Sequence, residues 1–346
     1  MNPLNIATSA TLSDRKLITT SIQKAIWYLQ KGDVVAIPTE TVYGLAANIY
    51  NDNAIKKIFE IKKRPHFNPL IVHIDSVDKL SEIAQNIPNQ AWRLAEKFWP
   101  GPLTMIFDKK DSISDLITGG KKTVAVRMPN HKMTLELIKQ AGFPLAAPSA
   151  NPFGSISPTS AKHVSNYFKK VLNVILDGGR AEKGIESTII GFEKDKVILY
   201  RLGVISQEMI ENVVGSNVSV LNKEENQPIA PGMLLKHYAP STKMIMSQHP
   251  YETASKILSS KIGLLTFGKE ESNDRGYIVK NLSQKGDFEE AAKNLYAHLH
   301  QLDDMRLELI IAQKFPDNGI GKSINDRLSR ACWSEVNYTS TQIFSE

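Results

Sequence analysis

The chain has 346 residues, 42% of them apolar and 23% charged, with a formal charge of +6 at pH 7. That length exceeds one hydrophobic core, so two globular domains are expected. The single cysteine, Cys332, excludes an intramolecular disulfide framework and a cysteine zinc cage, as expected of a reducing compartment. Met1 to Ser13 carries no basic stretch followed by an apolar core, and no apolar run approaches the roughly 20 residues that span a bilayer. The expected location is therefore the cytoplasm. Positive and negative residues are interspersed, which suits an anionic small substrate or a weak nucleic-acid contact without establishing either.

In chain order, Ser13 is placed to cap a helix carrying Leu17, Ile18, Ile22, Ile26 and Leu29 at helical spacing, stopped by Gly32. A strand at Val34 to Ile37, a helix from Asp52 to Lys62, a strand at Leu70 to Ile74 and helices across Ser76 to Phe98 follow. Strands are then expected at Leu103–Phe107, Val124–Met128, Pro144–Ala147, Val174–Leu176, Thr188–Ile190 and Val197–Arg201, with a helix near Gln207–Val214. This alternation is α/β punctuation. The expected division is a first domain over 1–214, an interdomain linker over 215–241, and a smaller α/β domain over 242–346. The linker's end, Ala230-Pro231-Gly232-Met233 through His237-Tyr238-Ala239-Pro240, is too apolar and aromatic for a bare spacer. In the second domain, strands near Met244, Ile262, Tyr277 and Ile310 alternate with helices, the longest from Asp287 to about Asp304 and the last from Gly321 to Cys332.

Four segments of the first domain put polar groups at strand ends, where open α/β sheets bind ligands. Pro38 to Leu45 offers two hydroxyls and a carboxylate in a turn, suited to a small zwitterion or to tying its own backbone. Lys62, Lys63 and Arg64, followed by Asn68, pair an ammonium with a guanidinium as polyphosphate clamps do, although cations at a helix end also offset the macrodipole. His73, inside an apolar strand, reads more simply as a core residue than as a ligand. Alternation puts Thr123, Ala125 and Arg127 on one strand face, so the guanidinium must meet a carboxylate-like ligand or an internal Glu. Ser149, Asn151 and Ser157-Pro158-Thr159, read as a helix cap with Pro at the first position, would leave backbone N–H groups facing a phosphate.

Other signals fail. Gly319-Ile320-Gly321-Lys322-Ser323 resembles the end of a Walker loop, but Pro316 stands where its first glycine belongs. His298 and His300, two apart on a helix, have no acidic neighbour at metal-ligand spacing and read as solvated surface residues. No Gly-x-Ser-x-Gly elbow occurs, and Cys332 has no neighbouring His.

Taken together, Pro-Thr-Glu-Thr-Val-Tyr-Gly-Leu at 38–45, the Lys62/Arg64 pair, the Ser149/Asn151 pair and Ser157-Pro158-Thr159 strongly resemble the threonylcarbamoyl-AMP synthase family in its long, two-domain form. The resemblance implies a YrdC-like twisted, largely mixed sheet with flanking helices, plus a smaller Rossmann-like C-terminal α/β domain. It also implies an enzyme that condenses L-threonine, bicarbonate or CO2 and ATP, with Mg2+, into threonylcarbamoyl-AMP and pyrophosphate for tRNA modification. By position, Thr41, His73, Arg127, Ala147 and Ser187 would surround threonine. Arg64, Asn68, Thr123, Ser149, Asn151, Ser157 and Arg201 would hold ATP, His237 and Tyr238 would form its lid, and Lys62 and Arg64 would be the main catalytic charges. No metal ligands are assigned. Product hand-over to a tRNA threonylcarbamoyl transferase machinery is implied, with direct tRNA binding left open. Ala46 and Leu202 depart from the family pattern, where glycine and proline are usual. An RNA-binding module or a carbamoyltransferase using the same basic cleft remain the alternatives.

Overall fold

Short polar side chains start most of the helices, because a Ser, Asn or Asp oxygen satisfies N–H groups that the first turn leaves unpaired. The computed structural model describes residues 17–194, 196–221, 237–259, 261–269 and 275–332. Strand β1 (Ile18–Thr19) precedes α1 (Ile22–Gln30), which is capped by Ser21 and starts later than expected; Ser13 lies outside the described residues. Then come β2 (Val35–Ile37), β3 (Gly44–Asn48) and α2 (Asp52–Lys62), whose first turn donates to Asn51 Oδ1 from Ala54 N at 3.0 Å. The chain continues through β4 (Ile71–His73), a 3-10 turn over Val77–Lys79, α3 (Leu80–Ile83), β5 (Ala84–Gln85), α4 (Asn89–Phe98), β6 (Leu103–Lys109), α5 (Asp115–Thr118) and β7 (Thr123–Arg127). After these lie α6 (Lys132–Ala141), β8 (Leu145–Ala146), α7 (Ala161–Phe168), β9 (Ile175–Leu176), β10 (Thr188–Glu193), β11 (Lys196–Arg201), α8 (Gln207–Val214) and β12 (Ser219–Val220).

Among the described residues these strands form one mixed sheet in the order β1-β9-β2-β3-β8-β4-β7-β6-β10-β11-β12, with β5 on β6. The parallel pairing of β4 with β7 sets Ile71 beside Ala125 and His73 beside Arg127. Strand alternation sends Val72, Val126 and Met105 the other way, into a core shared with Ile55 and Ile58 of α2 and Leu94 of α4. On the cleft face, Ile71, Ile106, Ala125 and Ile189 make an apolar floor.

The second unit is a parallel sheet, β13 (Lys243–Ser247), β14 (Ile262–Thr266), β15 (Ile278–Asn281) and β16 (Leu309–Gln313), ordered β13-β16-β14-β15. It carries α9 (Pro250–Ser255), α10 (Phe288–Asp304) and α11 (Gly319–Ala331). Leu295, Leu299, Ile324 and Leu328 of α10 and α11 share a core with Ile156, Ile185 and Val204 of the first sheet's loops. The two units therefore meet through buried apolar surface. His300 is part of that contact: its ring lies 4.0 Å from that of His163 on α7, and its Nε2 donates to the Ser157 carbonyl at 3.2 Å. The expectation of a solvated surface histidine is corrected here, because a face that looks solvated on an isolated helix is covered by the other domain.

Candidate active site

The turn between β2 and β3 ties its own backbone with one hydroxyl and turns the other to the cleft. Thr39 Oγ1 donates to the Val42 carbonyl at 2.6 Å and accepts from the N–H groups of Thr41 and Val42, so this residue ties its own backbone. Thr41 instead faces the cleft, its Oγ1 accepting from Arg127 Nη1 at 2.9 Å. Arg127 also donates from Nε to the Gly101 carbonyl at 3.2 Å, and its Nη2 lies 2.8 Å from Glu40 Oε2 as an ion pair without hydrogen-bond alignment. Both partners are almost wholly buried, so the internal Glu considered from sequence exists and fixes the guanidinium at the wall. His73 shares that wall, its Nδ1 donating to the Ile71 carbonyl at 3.2 Å. Burial, then the charge of Arg127, pushes its imidazole down to about 3, so it stands neutral.

Across the cleft, α2 ends at Lys63, whose left-handed backbone turns the chain back and aims Lys62 and Arg64 inward. Lys62 donates to the carbonyls of Ser149 and Asn151, pinning the Pro148–Asn151 loop to the helix end. Arg64 donates to Asn68 Oδ1 at 2.6 Å and to the Pro69 carbonyl at 2.8 Å. The expected clamp is thus partly a brace. Burial, then its neighbour Arg64, holds Lys62 well below the usual lysine range, and burial pushes Arg64 down to about 9, with Arg201 adding to the effect and Tyr238 opposing it. Buried cations that raise one another's energy form a site completed by an anion.

The third wall is the turn into β10. Ser187 accepts at its carbonyl from Arg201 Nε and Nη2, at 3.1 and 2.8 Å, and its hydroxyl lies 2.7 Å from that of Thr104. Leu202 does not displace Arg201. Gly203 makes the turn possible, since a Cβ there would sit 2.3 Å from the Thr188 nitrogen. Glu186, unremarked in the sequence, reaches Ser157 Oγ at 2.7 Å. Ser157 is not a helix cap: α7 begins at Ala161, with Ser160 Oγ accepting from His163 N, so the expected cap lies three residues too early.

His237 and Tyr238, both buried, cover the opening; their rings lie 4.1 Å apart, and Tyr238 has a left-handed φ of 63°. Burial, then the charges of Arg64 and Lys62, holds His237 well below its usual range. The rest of the expected lid, from residue 222 to residue 236, lies outside the described residues.

One cavity is therefore lined by Thr41, Arg64, His73, Arg127, Ala147, Ser149, Ser187, Arg201, His237 and Tyr238, together with Thr39, Val42, Gly44, Ile71, Pro148 and Glu186. Lys62, Asn68, Asn151 and Ser157 stand directly behind it, each bonded to the loops or side chains just described, Asn151 through Nδ2 to the Pro152 and Ser155 carbonyls. Thr123 is not brought in. It sits at the other end of β7 and lines a separate hollow with Asp108, Lys121 and Tyr200. Glu186 was missed, and Glu40, read only as the carboxylate of its turn, was not matched to Arg127, because a carboxylate before a hydroxyl residue carries no signature until its cation is known.

A sequence profile described as "Telomere recombination" matches residues 27–203, and one described as "Threonylcarbamoyl-AMP synthase, C-terminal domain" matches residues 205–332. The chain is 39% identical to the threonylcarbamoyl-AMP synthase of Bacillus subtilis, over 91% of this chain and 94% of that one. It is also 39% identical to that of Pyrococcus abyssi, over 90% and 93%. A crystal structure of Pyrococcus abyssi Sua5 complexed with L-threonine superposes with a TM-score of 0.82 at 37% identity, covering 91% of this chain and 96% of that one. A cavity of clustered buried cations and hydroxyls, capped by an aromatic pair, thus sits in a chain that belongs to the threonylcarbamoyl-AMP synthase family.

Proposed function

We infer that this enzyme condenses L-threonine, bicarbonate or CO2, and ATP into threonylcarbamoyl-AMP, releasing pyrophosphate, and hands the product to a tRNA-modifying transferase in the cytoplasm. What carries the reading is the convergence of Arg64, Arg127 and Arg201 with the hydroxyls of Thr41, Ser149 and Ser187 around one buried space. The threonine carboxylate fits the Arg127 guanidinium, held in place by Glu40 and the Gly101 carbonyl. Neutral His73 adds no charge beside the substrate amine, which must lose its proton before it can react.

Two steps follow. The amine nitrogen bonds to the carbon of CO2 with loss of a proton, giving N-carboxythreonine. An oxygen of that new carboxylate then attacks the α-phosphorus, and the bond to the bridging oxygen breaks as pyrophosphate leaves with the electron pair. Both reactants are anions, so the protein's work is to neutralise and align them, with Lys62, Arg64 and Arg201 on the nucleotide side. ATP enters as its Mg2+ complex, the metal carried by the phosphates. Glu40 and Glu186, the carboxylates at the cavity, are already engaged by arginines, and no group of three metal-ligating side chains occurs among the described residues. Mass spectrometry after incubation with ATP, Mg2+, threonine and bicarbonate should show threonylcarbamoyl-AMP, and omission of any reactant should abolish it. Pyrophosphate release from ATP at the same rate without threonine, with no threonylcarbamoyl-AMP formed in the complete mixture, would refute the reading.

A further inference from the structure

Glu186 joins the two domains at the edge of the cavity. Its Oε1 accepts from Ser157, while its Oε2 accepts from Tyr296 of α10 at 2.9 Å and from Arg327 Nε of α11 at 3.1 Å. Arg327 is 1% exposed. Its guanidinium also donates from Nη1 to Asp326 Oδ2 at 2.9 Å and lies 5.5 Å from the Tyr238 ring, which in turn stacks 5.9 Å from Tyr296. One turn of α11 further on, the Arg330 carbonyl accepts from His237 N at 3.1 Å. A single helix of the second domain therefore touches both the carboxylate beside Ser187 and the aromatic pair over the opening.

The charge arithmetic gives this contact a purpose. A buried carboxylate at the wall of a site for triphosphate and carboxylate would repel both reactants unless a cation cancels it. Burial by itself would raise Glu186; Arg327, then Arg201 and the Ser157 hydroxyl, reverse that and keep it ionised. Arg201 is the next cation that Glu186 feels, and it is the residue that grips Ser187. Without Arg327 the carboxylate would compete for Arg201. Tyr238, whose left-handed backbone is strained for a bulky residue, would also lose the cation beside its ring.

We propose that Arg327 is a positioning residue of the cleft: it cancels Glu186, leaves Arg201 on Ser187 and holds Tyr238 over the opening, so that the second domain sets the first domain's affinity for ATP. The proposal rests on the reading of the cavity as the ATP site. Its test is calorimetric titration of MgATP into the full-length wild-type chain, R327M, R327K and E186Q/R327M. R327M should bind about tenfold more weakly, a usual scale for coupling between sites. R327K, which keeps the charge, should fall between R327M and wild type, and E186Q/R327M should recover most of the loss although it has even fewer polar contacts. Wild-type affinity in R327M, or a double variant no better than R327M, would overturn the proposal and leave Arg327 a packing residue. Should R327M fail to fold by circular dichroism, near-wild-type binding by E186Q/R327M still supports the charge role, whereas failure of that variant to fold or bind overturns it. No MgATP binding by the wild-type chain would sink the ATP reading itself.

Discussion

The two sheets end very differently at the edges where open α/β folds usually bind ligands. In the first, loops after β2, β4 and β7 leave a space walled by Thr41, His73 and Arg127. In the second, Phe267 and Phe315, just beyond β14 and β16, meet Phe288 of α10 with ring centroids 4.4 to 6.2 Å apart. Gly321 lies against the same ring of Phe288. Three aromatic rings thus fill the corresponding crevice. A strand edge becomes a site only where the side chains leave it open, and here the second domain reaches the cavity edge from two helices, through Tyr296 of α10 and Arg327 of α11, instead of through its own strand ends.

That contrast can be broken by substitution. Phe315→Ala opens the plugged crevice and should destabilise the chain by about 3–5 kcal/mol while leaving MgATP affinity at the first cleft unchanged, read by denaturant unfolding and calorimetry. A lost affinity with the fold intact would mean that the second strand edge serves the site. Arg64→Ala should instead keep the fold and slow threonine- and bicarbonate-dependent pyrophosphate release by about 10²-fold or more; an unchanged rate would remove Arg64 from the chemistry.

Acid should act on both regions. His73 in the cleft and His163 at the domain contact are each pushed down to about 3, chiefly by burial. They are neutral when folded and protonate near 6.5 when unfolded, so the stability they contribute is complete above that pH and is lost as pH falls below it. The expected slope is about 1.4 kcal/mol per pH unit for each. His163→Gln should flatten it, and an unaltered slope would exclude the histidine stack as its source. The smallest effect is expected at Ser160→Ala, which removes the cap of α7 at about 1 kcal/mol. Thermal unfolding measures it; a larger loss at Ser157→Ala with no helix change would separate the Glu186 bond from capping.

How far the sequence reaches depends on how local the cause is. The bounds of α2 and α8 match those expected, because caps and 3.6-residue spacing act within one or two turns. Strand β3 went unseen: Gly44-Leu45-Ala46-Ala47 has no β-branched residue, and its place is set by pairing with β2 and by Leu45 N donating to the Pro148 carbonyl at 2.7 Å. Arg127 was legible as a buried guanidinium in need of an anion, yet which anion was not, since Glu40 meets it only after β7 and the β2–β3 turn converge.

The sequence alone determined the α/β class, the two-domain length and the polar residues at strand ends, and through its clustered motifs the family, because each depends on neighbours within a short stretch. Only the tertiary structure decided that Lys62 braces a loop, that Thr123 stands apart, that His300 is covered, and that Glu186 meets Arg327 across 141 positions of chain. Charge pairing at that separation follows from how two cores pack, and a residue's type does not carry the address of its partner.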